Sequence, residues 1–571
     1  MYIVDQTGNG DFTSIQAAVD AVPSGERAPT ILLIRAGVYN ERVVIYKDNL
    51  RVIGEDPENT VLTFSACAKD RDGLGGEQGT FRSFTLIVTG RDVEVENLTI
   101  RNDAGDGRDV GQAVAVYAAG DRGVWRKCRM IAHQDTLLCA PVMPMVENFI
   151  APRLNRCEWV PHVPDSLPTR SRQYFEDCLI QGDVDFIFGP YRCWFERCEL
   201  RMNARGGWYT AANTPEEQPY GMVFHKCHLT GECGDRMAAL GRPWRRFART
   251  VFLECEMNAC VAPDGFRDWD EEKVVTERYA EYATTGARAD LSLRHPKQKI
   301  LTEDEASEFT VAQVMGGADG WRPDRRVPTW FMCGDSTMTN YRPDQAPMMG
   351  WGQAVQPLLE DNIFVENLAV SGRSSKSFVD ERRLENIDRC IREGDTLLIS
   401  FSHNDEKSQD PSRYTTAWGT FPEYLKMYLD VARKHGATPV LVTPIARRIF
   451  DDQGVLQASH QDYPASMRAF AEKENVRLID LEAATMEDFQ REGVEGTKLL
   501  YCHMPAGTPN YPEGIADNSH LHQRGARRIA RLFMALWRGE LQVNGVREAD
   551  AADFSDTVNL EDSILKKEKG E

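Results

Sequence analysis

Two aspartates in the first half of the chain stand in short polar strings within otherwise apolar sequence. HQDTLL (133–138) contains Asp135, and DVDFIFG (183–189) contains Asp185. Because successive side chains of a strand alternate between its two faces, both carboxylates can point outward from neighbouring strands onto one groove. Two nearby carboxylates do not ionise independently, so one can stay protonated and donate a proton while the other is anionic and attacks. The pattern predicts a hydrolytic site built on paired carboxylates.

Two further strings, GQAVAV and LGRPW, supply partners for such a pair. The guanidinium of Arg242 can hold the anionic carboxylate ionised and orient it through two parallel hydrogen bonds. The amides of Gln112 and Gln134 can donate hydrogen bonds to a developing oxyanion. Trp244 offers a flat face for a sugar ring. Any one string alone is more often a turn or an ordinary strand, but all four in order favour a catalytic site.

The second half of the chain carries the residue types of a serine hydrolase. GDST (334–337) directly follows an apolar strand, which places Ser336 at the end of that strand, where open parallel sheets carry their chemistry. DNSHLH (517–522) offers Asp517 and His520 ahead of a final helix. A hydroxyl, a base and an acid that orients the base are the three groups that this chemistry requires.

Donors for the oxyanion of this second site are predicted at the ends of three strands. The backbone N–H groups of Ser336 and Gly372 and the amide of Asn404 are the candidates. GDST alone is a common turn, and a single late histidine is usually structural, so the prediction depends on the order of the blocks. The spacing of His403 and His522 does not fit a triad, and we expect them to neighbour the site or contact substrate.

A repeated pattern predicts the architecture that positions the carboxylates. Residues 1–322 read as many short β segments, including 31–39 and 93–102, separated by turns. One pattern, an apolar pair, a polar pair, Cys, a polar residue and an apolar residue, occurs at Cys128, Cys178, Cys198, Cys227 and Cys255. Such recurrence indicates a solenoid whose coils stack like residues on like, with the cysteines as free, buried side chains. The apolar face of TSIQAAVDAV (13–22) predicts a helix that caps its N-terminal edge.

From residue 328 to 540 the strands alternate with helices, which predicts a parallel α/β sandwich. The helices are expected at 378–392, 421–435, 467–475 and 524–538. The highly charged residues 541–571 are expected to form a loosely ordered tail. The sequence thus predicts two domains, 1–322 and 328–540, and a C-terminal tail.

Composition and charge exclude several classes of protein. The 571 residues are 42% hydrophobic and 27% charged, which excludes disorder as the dominant state. The formal net charge of −20 disfavours binding to nucleic acid, and no apolar run approaches the ~20 residues that span a bilayer. The 14 cysteines are too sparse for a disulfide scaffold. The N-terminus shows no signal peptide, so we expect a cytoplasmic protein, or a secreted one if a leader has been removed.

The four strings of the first half resemble the pectinesterase (pectin methylesterase) family, as do VDQTGNGDFTSIQAAVDAVP and GTFRSFT. The resemblance implies a right-handed parallel β-helix that hydrolyses the methyl esters of galacturonate in pectin. It makes Asp185 the nucleophile and Asp135 the general acid and then base. It also places Gln112 and Gln134 at the oxyanion, and Thr80, Arg242 and Trp244 against substrate.

One departure from the plant enzymes is an inserted segment, residues 139–172, with six prolines, which we expect to form a wall of the groove. A basic groove is also needed, because the net charge of the whole chain would repel an acidic polysaccharide. The arginines near these motifs are the candidates for its positive charge; they are Arg153, Arg170, Arg172, Arg205, Arg242, Arg245, Arg246 and Arg249. About half of these are expected to be ordinary solvated arginines.

The blocks of the second half resemble the SGNH (GDSL-like) hydrolases, most nearly the rhamnogalacturonan acetylesterases. Ser402 stands where that family usually has glycine. The resemblance implies a three-layer, flavodoxin-like α/β fold and removal of acetyl esters, on rhamnogalacturonan or homogalacturonan.

Together the two halves predict a bifunctional carbohydrate esterase that acts on pectin or its oligosaccharides. Three alternatives remain open: an acetylesterase acting on another polysaccharide such as acetylxylan, one domain acting only as a pectin-binding module, and a β-helix pectate lyase. The lyase is disfavoured because its chemistry usually needs clustered carboxylates around Ca²⁺. No metal, organic cofactor, nucleic acid or membrane is expected as a partner, and the oligomeric state is open.

Overall fold

The computed structural model describes residues 1–23, 29–71, 76–141, 171–269, 278–360 and 362–541. The chain divides into two compact units, Met1–Arg326 and a second that begins at Val327. Most of the predicted insertion, with Arg153 and Arg170, lies outside the described residues, as does the predicted tail beyond 541. The insertion is shorter than predicted at both ends, because Cys139 and Arg172 belong to regular strands.

The first unit is a parallel β-helix, as predicted. Each full coil adds one strand to sheet A, then one to sheet B and one to sheet C, and every strand pairs in parallel with its counterpart in the next coil. The described strands of sheet A are Tyr2–Val4, Thr30–Ile34, Leu50–Gly54, Val93–Glu96, Gly123–Arg126, Arg172–Glu176, Arg192–Glu196, Met222–His225, Thr250–Leu253, Tyr279–Tyr282 and Lys299–Ile300. Those of sheet B are Gly37–Asn40, Thr60–Phe64, Thr99–Asn102, Arg129–Ile131, Leu179–Gly182, Glu199–Met202, His228–Gly231, Glu256–Met257 and Thr285–Gly286. Those of sheet C are Val43–Ile45, Leu86–Val88, Val116–Ala118, Leu137–Cys139, Ile187–Gly189, Gly207–Ala212 and Ala238–Gly241.

The repeated cysteine pattern marks the corner between sheets A and B. The residue before each of the five cysteines has a left-handed backbone, for example Asp177 with φ 53° and Arg197 with φ 50°. The corner turns the following cysteine inward, where Cys178 is 1% exposed and donates a hydrogen bond to the carbonyl of Trp125 at 3.4 Å. The same corner breaks both of the long segments that the sequence predicted as single strands: 93–102 is interrupted at Asn97, and 31–39 ends one strand at Ile34 and begins the next at Gly37. All the cysteines in the described residues are free.

Stacked aromatic rings fill the core behind these corners. Phe175, Phe195, Phe224 and Phe252 come from successive strands of sheet A, with neighbouring ring centroids 4.4–4.6 Å apart. This column is continuous because equivalent positions in successive coils lie directly above one another. It fixes the coil register, and therefore the positions of the side chains at the other corners.

The predicted N-terminal helix spans Ile15–Ala21. Ser14 caps its N-terminus, where the serine side chain accepts a hydrogen bond from Ala17 N–H. Its buried residues Ile15, Ala18 and Val19 join the hydrophobic core of the coils. The other described helical segments of this unit are Thr80–Arg82 (3₁₀), Gly107–Val110, Glu303–Ser307 and Val311–Met315.

The second unit contains a parallel five-stranded sheet in the described residues, with the strand order Phe364–Asn367, Thr329–Gly334, Thr396–Ser400, Thr438–Val442 and Arg477–Ile479. This order, 2-1-3-4-5 along the chain, is the flavodoxin-like order that the resemblance implied. The described helices are Ser375–Asp380, Arg383–Cys390, Thr420–Lys434, Tyr463–Glu474, Leu481–Lys498 and Gln523–Arg538, with 3₁₀ turns at Pro343–Gln345, Trp351–Ala354 and Gln356–Leu358. An antiparallel pair, Tyr501–Met504 and Ile515–Leu521, completes the unit.

Three details of the predicted α/β unit were wrong. The helix predicted at 378–392 is two helices, because Arg382 adopts φ 60° between them. The helix Leu481–Lys498 was not predicted, and the helix predicted to begin at 467 begins at Tyr463. In the part of the chain that the structure describes, no helix is long and apolar enough to cross a membrane.

Candidate active sites

Asp135 and Asp185 occupy the same corner, between sheets B and C, in adjacent coils. Leu137 pairs with Ile187 and Leu138 with Phe188, and continuing this register by two residues aligns the two aspartates. Asp135 N–H donates to the carbonyl of Val184 at 3.1 Å. Both aspartates have a left-handed backbone, with φ 69° and 52°.

The guanidinium of Arg242 binds the carboxylate of Asp185 through two hydrogen bonds. Its Nε donates to Oδ1 at 2.9 Å and its Nη2 to Oδ2 at 2.6 Å. The guanidinium is itself stacked between Trp208 and Trp269, at 4.0 and 3.9 Å from the two ring centroids. Cation–π contact on both faces holds the fork in one plane, so Arg242 orients the Asp185 carboxylate rigidly.

Asp135 stands in a different environment. Its carboxyl makes no hydrogen bond or ion pair with any residue in the described ranges, although the residue is only 8% exposed. Burial, and then the negative charge of Asp185, raise the pKa of Asp135 well above its ordinary value. Burial also raises the pKa of Asp185, but the hydrogen bonds and positive charge of Arg242 act in the opposite direction. Arg242 therefore favours the ionised form of Asp185 through direct hydrogen bonds, whereas burial and the neighbouring carboxylate favour the protonated form of Asp135.

The two glutamines lie at the same corner as the aspartates. Gln112 precedes the sheet C strand Val116–Ala118, and Ala113 N–H donates to the carbonyl of Gln134 at 3.1 Å. Gln134 lies against Gly107, where an added Cβ would stand 2.7 Å from Gln134 Oε1. Neither glutamine amide has a hydrogen-bond partner among the described side chains and backbone, so both remain available to an oxyanion.

Thr80 and Trp244 lie at different ends of sheet C. Thr80 begins the 3₁₀ turn before the strand Leu86–Val88, and its carbonyl accepts from Ser83 N–H and Oγ–H. Trp244 follows the strand that Arg242 terminates, and its ring meets that of Phe188 edge-on with a centroid distance of 6.0 Å. The structure gives no contact between either residue and the carboxylate pair.

A second pair on the same two coils was missed by sequence reasoning. His133 Nδ1 lies 3.1 Å from Asp183 Oδ2, two residues before Asp135 and Asp185 respectively. The Asp183 side chain is fully buried, and its hydrogen bond raises the pKa of His133. The sequence carries a signal for this pair, because His133 and Asp183 are separated by the same 50 residues as Asp135 and Asp185.

The predicted basic groove is smaller than expected. Arg172 was assigned to it wrongly: its side chain is 7% exposed and pairs with Asp121 and Asp319, so it holds the coils together. Arg205 contacts Asp106 at 3.2 Å, and Arg245 and Arg246 are exposed. Arg249 is half-buried, and burial lowers its pKa.

In the second unit, Ser336, His520 and Asp517 form one hydrogen-bonded chain. Ser336 Oγ lies 3.0 Å from His520 Nε2, and His520 Nδ1 lies 2.6 Å from Asp517 Oδ2. Burial opposes the ionisation of Asp517, but hydrogen bonds from the His520 side chain and from the N–H groups of His520 and Ser519 lower its pKa to about 2. An anionic Asp517 requires the proton on Nδ1, which leaves Nε2 as the acceptor for the serine hydroxyl.

The three residues assigned to the oxyanion follow three adjacent parallel strands, Thr329–Gly334, Phe364–Asn367 and Thr396–Ser400. Tyr341 Oη donates to the carbonyl of Ser336 at 3.0 Å, and Val370 N–H donates to that of Gly334 at 3.0 Å. The N–H groups of Ser336 and Gly372 donate to no described residue, and Gly372 has φ 81°. Asn404 is 3% exposed, and its Nδ2 donates to the carbonyl of Arg373 at 2.9 Å with one N–H to spare.

The two remaining histidines of these motifs have structural positions. His403 is 5% exposed, and burial lowers its pKa to about 4. It neighbours the site, as one of the two expectations had it, with Nδ1 3.4 Å from Asp335 Oδ2 next to Ser336. His522 caps the final helix, accepting from Arg524 N–H at 3.2 Å. Among the described residues, no group of three or more His, Cys, Asp or Glu side chains is arranged to hold a metal ion.

The family description "Pectinesterase" matches residues 1–141 and 153–318, which is more than half of the chain. The chain belongs to the pectinesterase family. The description "GDSL-like Lipase/Acylhydrolase family" matches residues 332–528. Both are families of carboxylic ester hydrolases, so this pectinesterase-family chain is an ester hydrolase with two hydrolase domains, and both predicted resemblances are confirmed.

Individual relatives match one half of this chain or the other. Rhamnogalacturonan acetylesterase RhgT of Bacillus subtilis (strain 168) is 42% identical over 35% of this chain and 86% of its own length. Pectinesterase 31 of Arabidopsis thaliana is 31% identical over 54% of this chain and 90% of its own. Against probable pectinesterase/pectinesterase inhibitor 23 of the same plant, the chain spans 54% of the relative's length. The solved pectin methylesterase from carrot is 27% identical, with a TM-score of 0.47, over 56% of this chain and 93% of that one.

Proposed function

We propose that the chain is a bifunctional pectin esterase that removes methyl esters at Asp135 and Asp185 and acetyl esters at Ser336, His520 and Asp517. The observation that carries the first assignment is the contrast within the pair: Arg242 binds Asp185 at 2.9 and 2.6 Å, while the buried carboxyl of Asp135 makes no hydrogen bond or ion pair with a described residue. An ionised nucleophile and a protonated acid are the two states that ester hydrolysis by two carboxyls requires.

At the first site, an oxygen of Asp185 attacks the carbonyl carbon of the methyl ester. The amides of Gln112 and Gln134 donate to the oxyanion, whose charge would otherwise be unpaired in a largely buried corner. The C–OCH₃ bond then breaks, and Asp135 gives its proton to the departing oxygen, so methanol leaves and an acyl anhydride of Asp185 remains. Water attacks the same carbonyl carbon and gives a proton to Asp135. The bond between that carbon and the Asp185 oxygen then breaks, which returns Asp185 as a carboxylate and leaves Asp135 protonated, and the galacturonic acid formed releases its remaining proton to solvent as it leaves.

At the second site, His520 Nε2 takes the proton of Ser336 as Oγ attacks the acetyl carbon. Asp517 stabilises the imidazolium and keeps the ring in its tautomer. The oxyanion accepts hydrogen bonds from the N–H groups of Ser336 and Gly372 and from the spare N–H of Asn404. The bond from the acetyl carbon to the sugar oxygen breaks as that oxygen takes the proton from His520, so the sugar leaves with a free hydroxyl. Water then attacks the acetyl-serine while His520 takes one of its protons and passes it to Ser336 Oγ, and acetate and a proton are released.

The experiment is incubation of the full chain with partly methylated, acetylated pectin while methanol and acetate are assayed in parallel. Both products are expected, with no ultraviolet absorbance from unsaturated sugars. Unsaturated products would favour the lyase. Release of methanol alone, or of acetate alone, would mean that only one of the two units is catalytic.

A further inference from the structure

An open cavity of about 420 Å³ lies beside Gly372 in the second unit. Its wall includes Arg373, Lys376 and Arg413, with Asp380 and Glu381 as carboxylates. Gly372 is also a candidate oxyanion donor, so the cavity adjoins the position of the reacting acetyl group. The cavity therefore shares Gly372 with the proposed acetylesterase site.

The positive charges around this cavity differ in how they are balanced. Arg373 Nε contacts both oxygens of Glu381 at 3.0 Å, and Arg413 Nε contacts Asp410 at 2.6 Å. Lys376 donates only to the carbonyl of Pro411, at 2.8 Å. It has no carboxylate within 4.0 Å among the described residues, so its ammonium charge is not balanced locally.

Lys407 is a second lysine whose charge is not balanced locally, and it contacts Asn404, a candidate oxyanion residue. Lys407 Nζ donates to Asn404 Oδ1 at 2.9 Å and has no carboxylate within 4.0 Å in the part of the chain that the structure describes. Arg413 Nη1 lies 3.4 Å from the same oxygen and 3.4 Å from the carbonyl of Gly372. Arg413, which lines the cavity, therefore connects it to two of the candidate oxyanion residues, and Lys407 contacts one of them.

We propose that this cavity is a carboxylate-binding subsite of the acetylesterase site, which makes its substrate an acetylated polymer of uronic acids and not a neutral glycan such as acetylxylan. The inference rests on the proposed function. With a formal net charge of −20, the protein repels a polyanion at long range, so productive binding needs cations at the site itself. Lys376, in the cavity wall, supplies a charge that a uronate carboxylate can pair with without first displacing an internal salt bridge, and Lys407 adds a second such charge at Asn404.

The wall also limits how many carboxylates can bind. Glu381 is occupied by Arg373 and by Arg383, at 2.7 Å. Asp380 has no cation within 4.0 Å among the described residues and would repel a second carboxylate. The geometry therefore favours one carboxylate, on the side of Lys376 and Arg413.

The test compares the full-length protein with Lys376→Gln and with the control Lys426→Gln, which removes an equal charge from an exposed helix position paired with Asp430. The kcat/KM for acetate release is measured on acetylated, demethylated galacturonan and on acetylxylan, each relative to 4-nitrophenyl acetate. We expect Lys376→Gln to lower the galacturonan ratio about tenfold, mainly through KM, and to lower the acetylxylan ratio much less. Raising the salt concentration from 20 to 200 mM should reduce the difference between the protein and the variant, since screening weakens the pairing.

Equal galacturonan ratios in Lys376→Gln and Lys426→Gln would overturn the subsite, and so would wild-type hydrolysis of acetylxylan as efficient as that of galacturonan. Circular dichroism and partial rescue by Lys376→Arg separate a charge effect from misfolding. Failure of the proposed function has a different signature: the unmodified protein would release no acetate from either polymer.

Discussion

Asp135 and Asp185 are equivalent residues of adjacent coils, and both adopt a left-handed backbone at the corner between sheets B and C. Aspartate tolerates this conformation better than most residues, but such a backbone still costs roughly 1–3 kcal/mol where the surroundings impose it. The two corners lie in register, so the repeat that stabilises the fold also aligns the proposed acid with the proposed nucleophile.

Asp185→Asn should reduce methanol release at least 10³-fold, because the amide cannot attack the ester while asparagine keeps the shape and the left-handed backbone. The measurement is the initial rate of methanol release from methylated pectin. Asp177→Asn is the matched control, since Asp177 has φ 53° at an exposed corner. A rate for Asp185→Asn within tenfold of the control would rule out Asp185 as nucleophile.

Asp135→Asn should slow methanol release roughly 10²–10⁴-fold, the usual contribution of a general acid. It should also stabilise the first unit at neutral pH. Because the pKa of Asp135 is raised by folding, the native state loses stability as pH rises from the unfolded pKa, about 3.9, through the folded pKa. The asparagine variant avoids that cost, so its thermal midpoint should exceed that of the unmodified protein at pH 8 and match it near pH 3. A midpoint at pH 8 below that of the unmodified protein would contradict a raised pKa.

Arg242→Lys should make methanol release more sensitive to acid. Lysine cannot form the two parallel hydrogen bonds or stack fully between Trp208 and Trp269, so the pKa of Asp185 should rise. The acidic limb of kcat/KM should therefore move to higher pH, and the loss of rate should be larger at pH 5 than at pH 8. Arg267→Lys, at an exposed pair with Asp264, is the control. An unmoved acidic limb would mean that Arg242 does not set the ionisation of Asp185.

Asp517→Asn should reduce acetate release roughly 10³–10⁴-fold, because the amide no longer requires the proton of His520 to stay on Nδ1. The acetate assay on acetylated galacturonan measures this effect. Asp451→Asn, at an exposed turn of the same unit, serves as the control. A loss smaller than tenfold would remove Asp517 from the triad.

The coil repeat could be predicted from the sequence because each coil must place a small apolar side chain at the same inward position, and cysteine fills it five times. The carboxylate pair could be predicted for the same reason, since the polar strings recur at equivalent positions. The corners inside segments 31–39 and 93–102 were missed, because a left-handed residue such as Asn97 leaves the apolar pattern on both sides unchanged.

Contacts between distant parts of the chain could not be predicted. Arg172 was placed in the groove because its partners, Asp121 and Asp319, lie 51 and 147 residues away. The stacking of Trp208 and Trp269 on Arg242 likewise has no local signal. In the second unit, the lack of a carboxylate partner at Lys376 and at Lys407 depends on the folded arrangement and has no signal in the local sequence.

The central claim, that one chain carries two independent ester-hydrolysing sites, is tested most directly by a crossed assay on a single substrate. Partly methylated, acetylated pectin that already bears free carboxylates is treated with Asp185→Asn and with Ser336→Ala, and both products are measured each time. The account predicts that Asp185→Asn loses methanol release and keeps acetate release, while Ser336→Ala shows the reverse. Loss of both products in either variant, with the fold intact, would contradict it.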